Sequence, residues 1–444
     1  MHHSFSKLVV RGFAALSLLT TVTARAQDDI YPAKDYKGKL YITGGTIHVG
    51  NGQVIEGGTV AVDNGKIVQV GSGISIPSGG DVKVIDAKGK QIYPGLILPV
   101  TDLGLKEIAN GVRGSNDYEE LGDLNPSVRS IVAYNTDSRI INTLKANGIL
   151  LASITPQGGA ISGSSTVVQL DAWNWEDAAY RMDGAIHVNM PSFIVRPRRF
   201  GGRRGGPEAP SDPTKEALDK VEEIKTFFRE AKAYLQMPAH KETNLKFEAV
   251  KGLFARQQKL FVHGDQVKQM LVAVDFAKEF GFDVVIVGGS ESWLIAPLLK
   301  ANNIAVILGQ EHALPTTEDD DVDQPYKTPA QLQKAGVLFA LNDDHDESRY
   351  RNLMFNAGTA AAYGLTKEQA LQAITLNSAK VLGIDDRTGS LEAGKDANIV
   401  ISGGDILDMR TSLIEHCFIQ GREVSLDNKQ TQLYHRYMSK YGLQ

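Results

Sequence analysis

Two segments of this chain carry groups able to do chemistry at the end of an apolar run. Lys259-Leu260-Phe261-Val262 leads straight into His263-Gly264-Asp265, and Val337-Leu338-Phe339-Ala340-Leu341 leads into Asn342-Asp343-Asp344-His345-Asp346. An imidazole or carboxylate placed there can exchange a proton or ligate a divalent ion. Two glycine-rich exits accompany them. Val284-Val285-Ile286-Val287 ends in Gly288-Gly289-Ser290-Glu291, whose N–H groups could hold an anion at a helix start, and Ile154-Thr155-Pro156 ends in Gln157-Gly158-Gly159. Each feature has a plainer reading. A strand-end histidine can simply hydrogen-bond, Asp343 can cap the following turn, and a glycine pair can serve only a tight bend.

Strands must position these groups. The short apolar runs Ile149–Ile154, Lys259–Val262, Asp283–Val287, Ala305–Leu308 and Val337–Leu341 alternate with helical segments. Val267, Met270, Leu271 and Val274 recur at helical spacing behind Asp265, a candidate N-cap, and Ser290-Glu291 starts another helix. Gly148 and Gly281 stand where glycine closes a helix. Repeating strand and helix predicts parallel β in an α/β barrel or doubly wound sheet, of which the barrel is favoured. Leu353–Leu382 reads as nearly all helical. Both ends of the chain read as short β: Asn64-Gly65 marks a two-residue hairpin, and β spacing returns in Ala397–Ser402 and Glu415–Val424. A small sheet domain assembled from both termini follows.

Composition narrows the function. Of 444 residues, 42% are hydrophobic and 22% charged, which excludes wholesale disorder and coiled coil. A formal charge of −5 gives no cationic field for nucleic acid. The single cysteine, Cys417, excludes an internal disulfide framework and zinc sites built on two or more thiolates. Lys7 and Arg11, the apolar run Phe13–Leu19 and Ala24-Arg25-Ala26 have the order of a secretory signal peptide over residues 1–26. Its removal takes three basic side chains and no acids, leaving −8 and an expectation of export to the periplasm or beyond. No later segment reaches the ~18 uninterrupted apolar residues of a membrane span. Arg196–Gly206, with five arginines and four glycines, reads as a surface insertion extending to Pro213. It ends at Asp212-Pro213, the cap and first turn of a helix carrying Leu218, Val221, Ile224, Phe228 and Leu235. The acidic run Glu318–Asp323 lacks the alternating ligands and central glycine of a calcium loop.

Longer stretches resemble a known family. Tyr93-Pro94-Gly95-Leu96-Ile97, Ala370–Gly383 (ALQAITLNSAKVLG) and Gly389–Val400 (GSLEAGKDANIV) resemble segments of the amidohydrolase superfamily, particularly its imidazolonepropionase-like branch. Ser378 stands where the family carries proline, and Asn398 where it carries aspartate. The resemblance implies a (β/α)8 barrel over 94–385 and a composite β-sandwich from 27–93 and 386–444. It implies an ancestral hydrolysis of an amide, cyclic amide or dipeptide-like C–N bond by water activated on a divalent ion such as zinc or manganese. It also implies a metal-ligating role for His263 at the fifth strand, and ligand and general-base roles for Asp343 at the eighth. The first-strand histidine pair falls on Val100-Thr101-Asp102, and the sixth-strand histidine on Gly288-Gly289, so three histidines are missing. Asp102 is a substitute ligand. Gly288, Gly289 and His345 are candidate substrate contacts. Low metal occupancy or none is expected. The alternatives are a hydrolase with a rebuilt His263/Asp343/Asp102 site, a metal-free hydrolase using His263 as base, or a non-catalytic barrel. The last would bind a small amide-like ligand or pair, as homo- or hetero-oligomer, with a related amidohydrolase.

Overall fold

The strand-forming segments gather into two ladders in the computed structural model, which describes residues 31–77, 79, 81–107, 117–193, 212–343 and 348–443. The segment 1–26 expected to be a signal peptide, the Arg/Gly run up to residue 211, and Asp344, His345 and Asp346 lie outside the described residues.

β1 (Lys39–His48), β2 (Val54–Asp63), β3 (Lys66–Gly71), β4 (Val82–Asp86) and β5 (Gln91–Pro94) open the first ladder. The β2–β3 turn uses Asn64 and Gly65 at φ 47° and 77°, the left-handed pair that a two-residue hairpin requires. The barrel follows with β6 (Leu96–Thr101), β7 (Ile149–Ile154), β8 (Ile161–Gln169), β9 (Ala179–Asn189), β10 (Lys259–Gly264), β11 (Val284–Gly288), β12 (Ala305–Leu308) and β13 (Phe339–Leu341). β14 (Ile399–Ser402), β15 (Ile414–Ile419) and β16 (Arg422–Val424) then return to the first ladder through the β14–β5 pairing. The composite sheet domain is therefore as expected. Leu40, Ile42, Val60, Val62, Ile399 and Phe418 fill its own core.

Barrel strands pair in chain order from β6 to β13. All neighbours are parallel except around β8, which is antiparallel to both β7 and β9. The barrel is nearly closed. Across the gap, the Val100 N–H donates to Asn342 Oδ1 at 3.3 Å, and the Ile97 N–H to the Ile374 carbonyl at 3.0 Å. Leu96, Ile97, Leu151, Ile186, Phe261, Ile286, Ile307 and Phe339 are fully or nearly fully buried, so apolar burial on these parallel strands supplies the main driving force.

Helix signals hold with local corrections. The helix Pro213–Leu235 starts on Asp212, whose side chain accepts from the Thr214 and Lys215 N–H groups. It buries Val221, Ile224, Phe227 and Phe228 but leaves Leu218 exposed, because the apolar stripe turns away from that position. The helix Val267–Phe280 is capped at Gln266 rather than Asp265: Gln269 Oε1 accepts from the N–H groups of both. Gly281 closes it at φ 74°. Ser290-Glu291 precedes a single 3-10 turn, Ser292–Ile295, before the helix Ala296–Ala301.

The family-like C-terminal segment serves as a latch. Asp396 accepts from the Tyr180 hydroxyl and pairs with Lys66 at 2.5 Å and Arg387 at 3.2 Å, while Arg387 stacks 3.8 Å from the Tyr180 ring centroid. Asn398 donates to Thr388 and accepts from the Gln420 N–H, and its carbonyl takes the Gly95 N–H at the start of β6. Ser378, in the family's proline position, donates to the Ala373 carbonyl. A second latch centres on Asp171, which is 3% exposed and holds Lys145 at 2.9 Å and Arg422 at 3.1 Å. Both buried cations thus share one carboxylate between barrel and terminal sheet.

Candidate active site

The C-terminal ends of the barrel strands other than β8 converge on one mouth, and the chemistry-bearing residues found there come from β6, β7, β9, β10 and β13. His263 sits in β10, paired in register with Asn189 of β9. Its Nε2 lies 2.8 Å from Nδ1 of His187, a residue that the sequence reading did not single out. His187 is fully buried, with its ring edge against Phe261. Its remaining nitrogen, Nε2, is buried without a hydrogen-bond partner among the described residues. Burial, then the neighbouring His263, drives the His187 pKa well below that of an ordinary imidazole. His263 keeps some access to the mouth, yet the protein packed around it pushes its pKa down to about 4. Both rings are neutral at pH 7 and share one N–H between them. So weak a base is poorly matched to proton abstraction near neutrality.

Asp102 follows β6 and is buried; its carboxylate accepts from the Tyr350 hydroxyl and, at 3.3 Å, from Gln157 Nε2. The glycine-rich exit of β7 therefore delivers Gln157 to this carboxylate. Burial, then the Asp102 charge, raises the Tyr350 phenol, which stays a donor at any working pH. Asp343 follows β13, 1% exposed, with Oδ2 accepting from Asn356 Nδ2 at 2.9 Å. Asn342 beside it uses its side chain to close the barrel against Val100.

Gly288 and Gly289 act as a bend. Their φ values are 98° and 62°, and an added Cβ would lie 2.7 Å from Asp265 Oδ1 at Gly288 and 2.8 Å from Val306 Cγ1 at Gly289. The expected free N–H groups are taken: Gly289 donates to the Gly264 carbonyl, Ser290 to Asp265 Oδ1, Glu291 to the Asp265 carbonyl and Ser292 to the Gly289 carbonyl. The anion reading of this turn is corrected accordingly; tight backbone approach explains the glycines. Gly288 still lines a cavity of about 520 Å³ over the ends of β11 and β12. His345 lies outside the described residues.

The donor chemistry decides whether a divalent ion fits. Among the described residues no three His, Cys, Asp or Glu side chains stand close enough to share one. His263 Nε2 is engaged by His187, Asp102 by Tyr350 and Gln157, and Asp343 Oδ2 by Asn356. A catalytic zinc centre typically takes three protein ligands and an open position. The described residues do not assemble one.

A nearly closed barrel with polar groups at its strand ends, latched to a sheet domain built from both ends of the described chain, is the architecture also found in the amidohydrolase fold. Residues 269–426 match the amidohydrolase family. An amidohydrolase from Thermotoga maritima superposes with TM-score 0.74 at 27% identity, covering 87% of this chain and 99% of that one. An imidazolonepropionase from Mesorhizobium japonicum is 26% identical over 74% of this chain and 82% of its own length. Amidohydrolase tasK from Hapsidospora irregularis is 21% identical over 76% of this chain, and an imidazolonepropionase from Picrophilus torridus 29% identical over 43%. This chain spans only 36% and 47% of those two relatives. These matches support the amidohydrolase superfamily for this chain, the family model itself covering residues 269–426.

Proposed function

We propose that this chain is an exported member of the superfamily whose barrel mouth binds a small amide-like molecule, with hydrolysis weakened or lost. The observation carrying the reading is the 2.8 Å contact between His187 and His263, which engages the one strand-end histidine retained from the family pattern. Support for export comes from the basic, apolar and small-residue order of residues 1–26. The test is turnover of cyclic amides, N-acyl amino acids and dipeptides by the purified chain, with and without added zinc or manganese. Binding without turnover is expected; metal-restored hydrolysis at enzyme-like rates contradicts the reading.

The orphaned Nε2 of His187 favours a second reading, a C–N hydrolase with a different donor set, because a bare buried imidazole nitrogen is a metal ligand in waiting. His187→Gln separates the two. Under the first reading it leaves metal content unchanged, and under the second it lowers it.

A further inference from the structure

The same mouth holds a second polar group that plays no part in the histidine pair. β12 ends at Leu308, and Gly309-Gln310-Glu311 lead from it along the wall of the 520 Å³ cavity. Glu311 is 2% exposed, and its Oε2 has no hydrogen-bond partner among the described residues. Oε1 of the adjacent Gln310 is also buried and unpartnered. Two buried polar atoms without partners on consecutive residues are costly, since each such group left unmade forfeits about 1–3 kcal/mol. Structures tolerate such groups where a ligand completes them.

The missing partner is a donor, and the surroundings indicate its charge. Asp265 and Asp320 also line the cavity, while none of the described lining residues is Lys, Arg or His. The nearby Lys327 is held by Asp321 at 2.9 Å and Asp323 at 2.7 Å, so it is not available to Glu311. We propose that this cavity binds the ammonium group of a small amine-bearing ligand, with Glu311 as counter-ion and Gln310 as second acceptor. An ammonium offers three N–H donors and a full charge, enough to supply a donor to each residue. Burial holds the empty Glu311 carboxyl well above the usual carboxylate range, so it waits as the neutral acid and releases its proton to solvent when the ammonium arrives. The cavity volume suits a ligand of dipeptide size. This inference rests on the reading of the mouth as a ligand site and narrows its ligand to an amine.

The test compares 6-aminohexanamide with heptanamide, which replaces the ammonium by a methyl group, by calorimetry on the purified chain. The parent should bind the amine at least about tenfold more tightly, the usual scale for a charged hydrogen bond. Glu311→Gln should abolish that preference, and Asp320→Asn, half-buried on the cavity wall, should reduce it by less than Glu311→Gln does. Equal binding of the two amides, or full preference retained in Glu311→Gln, overturns amine recognition while the ligand site stands. Binding of neither amide overturns both readings. A response to magnesium or calcium chloride without preference between the amides overturns the ammonium assignment.

Discussion

Lowering the pH should weaken the fold through the paired imidazoles, in a window the structure sets. His263 has its pKa depressed from 6.5 to about 4 by burial. Between those values the unfolded chain takes up a proton that the folded chain refuses. Stability from this residue is therefore complete above pH 6.5 and declines as pH falls towards 4. At 1.36 kcal/mol per pKa unit the loss amounts to about 3 kcal/mol, an upper figure because the ring keeps some access to water. His187 is shifted in the same direction and adds to the slope. For a chain of this size, about 3 kcal/mol corresponds to roughly 3 °C in Tm, using the usual per-residue unfolding entropy. Urea unfolding of the parent and of His263→Gln at pH 7, 6 and 5, in chelator, isolates the effect from carboxylates that titrate in both. The parent should lose stability more steeply than the variant between pH 6.5 and 5. Equal slopes would refute the buried neutral pair.

Other consequences are equally direct. Asp171→Ala leaves Lys145 and Arg422 buried without their shared carboxylate and should cost about 3–5 kcal/mol by denaturant unfolding; a loss below about 1 kcal/mol would show that water replaces it. Glu311→Gln should raise stability at neutral pH. The folded-state pKa of Glu311 lies above its unfolded value, so its stability contribution is present below about pH 4.5 and lost as pH rises. The variant should therefore match the parent near pH 4 and exceed its Tm at pH 7. Phe228→Ala, which removes a fully buried ring packed edge-on to Phe276 and Phe282, should cost about 3–5 kcal/mol in chemical unfolding.

The sequence made the barrel legible where burial is total on both faces. β7 and β10 to β13 are continuous apolar runs, and such runs are what buried parallel strands require. β8 and β9 escaped notice. β8 reads ISGSSTVVQ, with serines buried rather than exposed, so neither alternation nor an apolar run marks it. β9 carries Asp183 at φ 51° and irregular pairing with β8, which breaks its period just before His187. Ala185-Ile186-His187-Val188 was the available signal, an apolar run enclosing one imidazole. At the mouth, Asp102, His263 and Asp343 were legible because functional groups in barrels project from strand ends. Their partners were not. Tyr350 lies 248 residues from the Asp102 it donates to, and no spacing rule connects them. The Asp265 cap failed for a related reason: Gln269 reaches back to two N–H groups, while the aspartate is drawn off to Ser290 on the next loop.

The account rests on His263 being spent on His187 rather than on an ion. Elemental analysis of the chain, purified without chelator from metal-replete cells, tests that most directly. The account predicts far less than one equivalent of zinc or manganese, with no rise in Tm when either is added. Near-stoichiometric metal that survives dialysis and disappears in His263→Ala would contradict it.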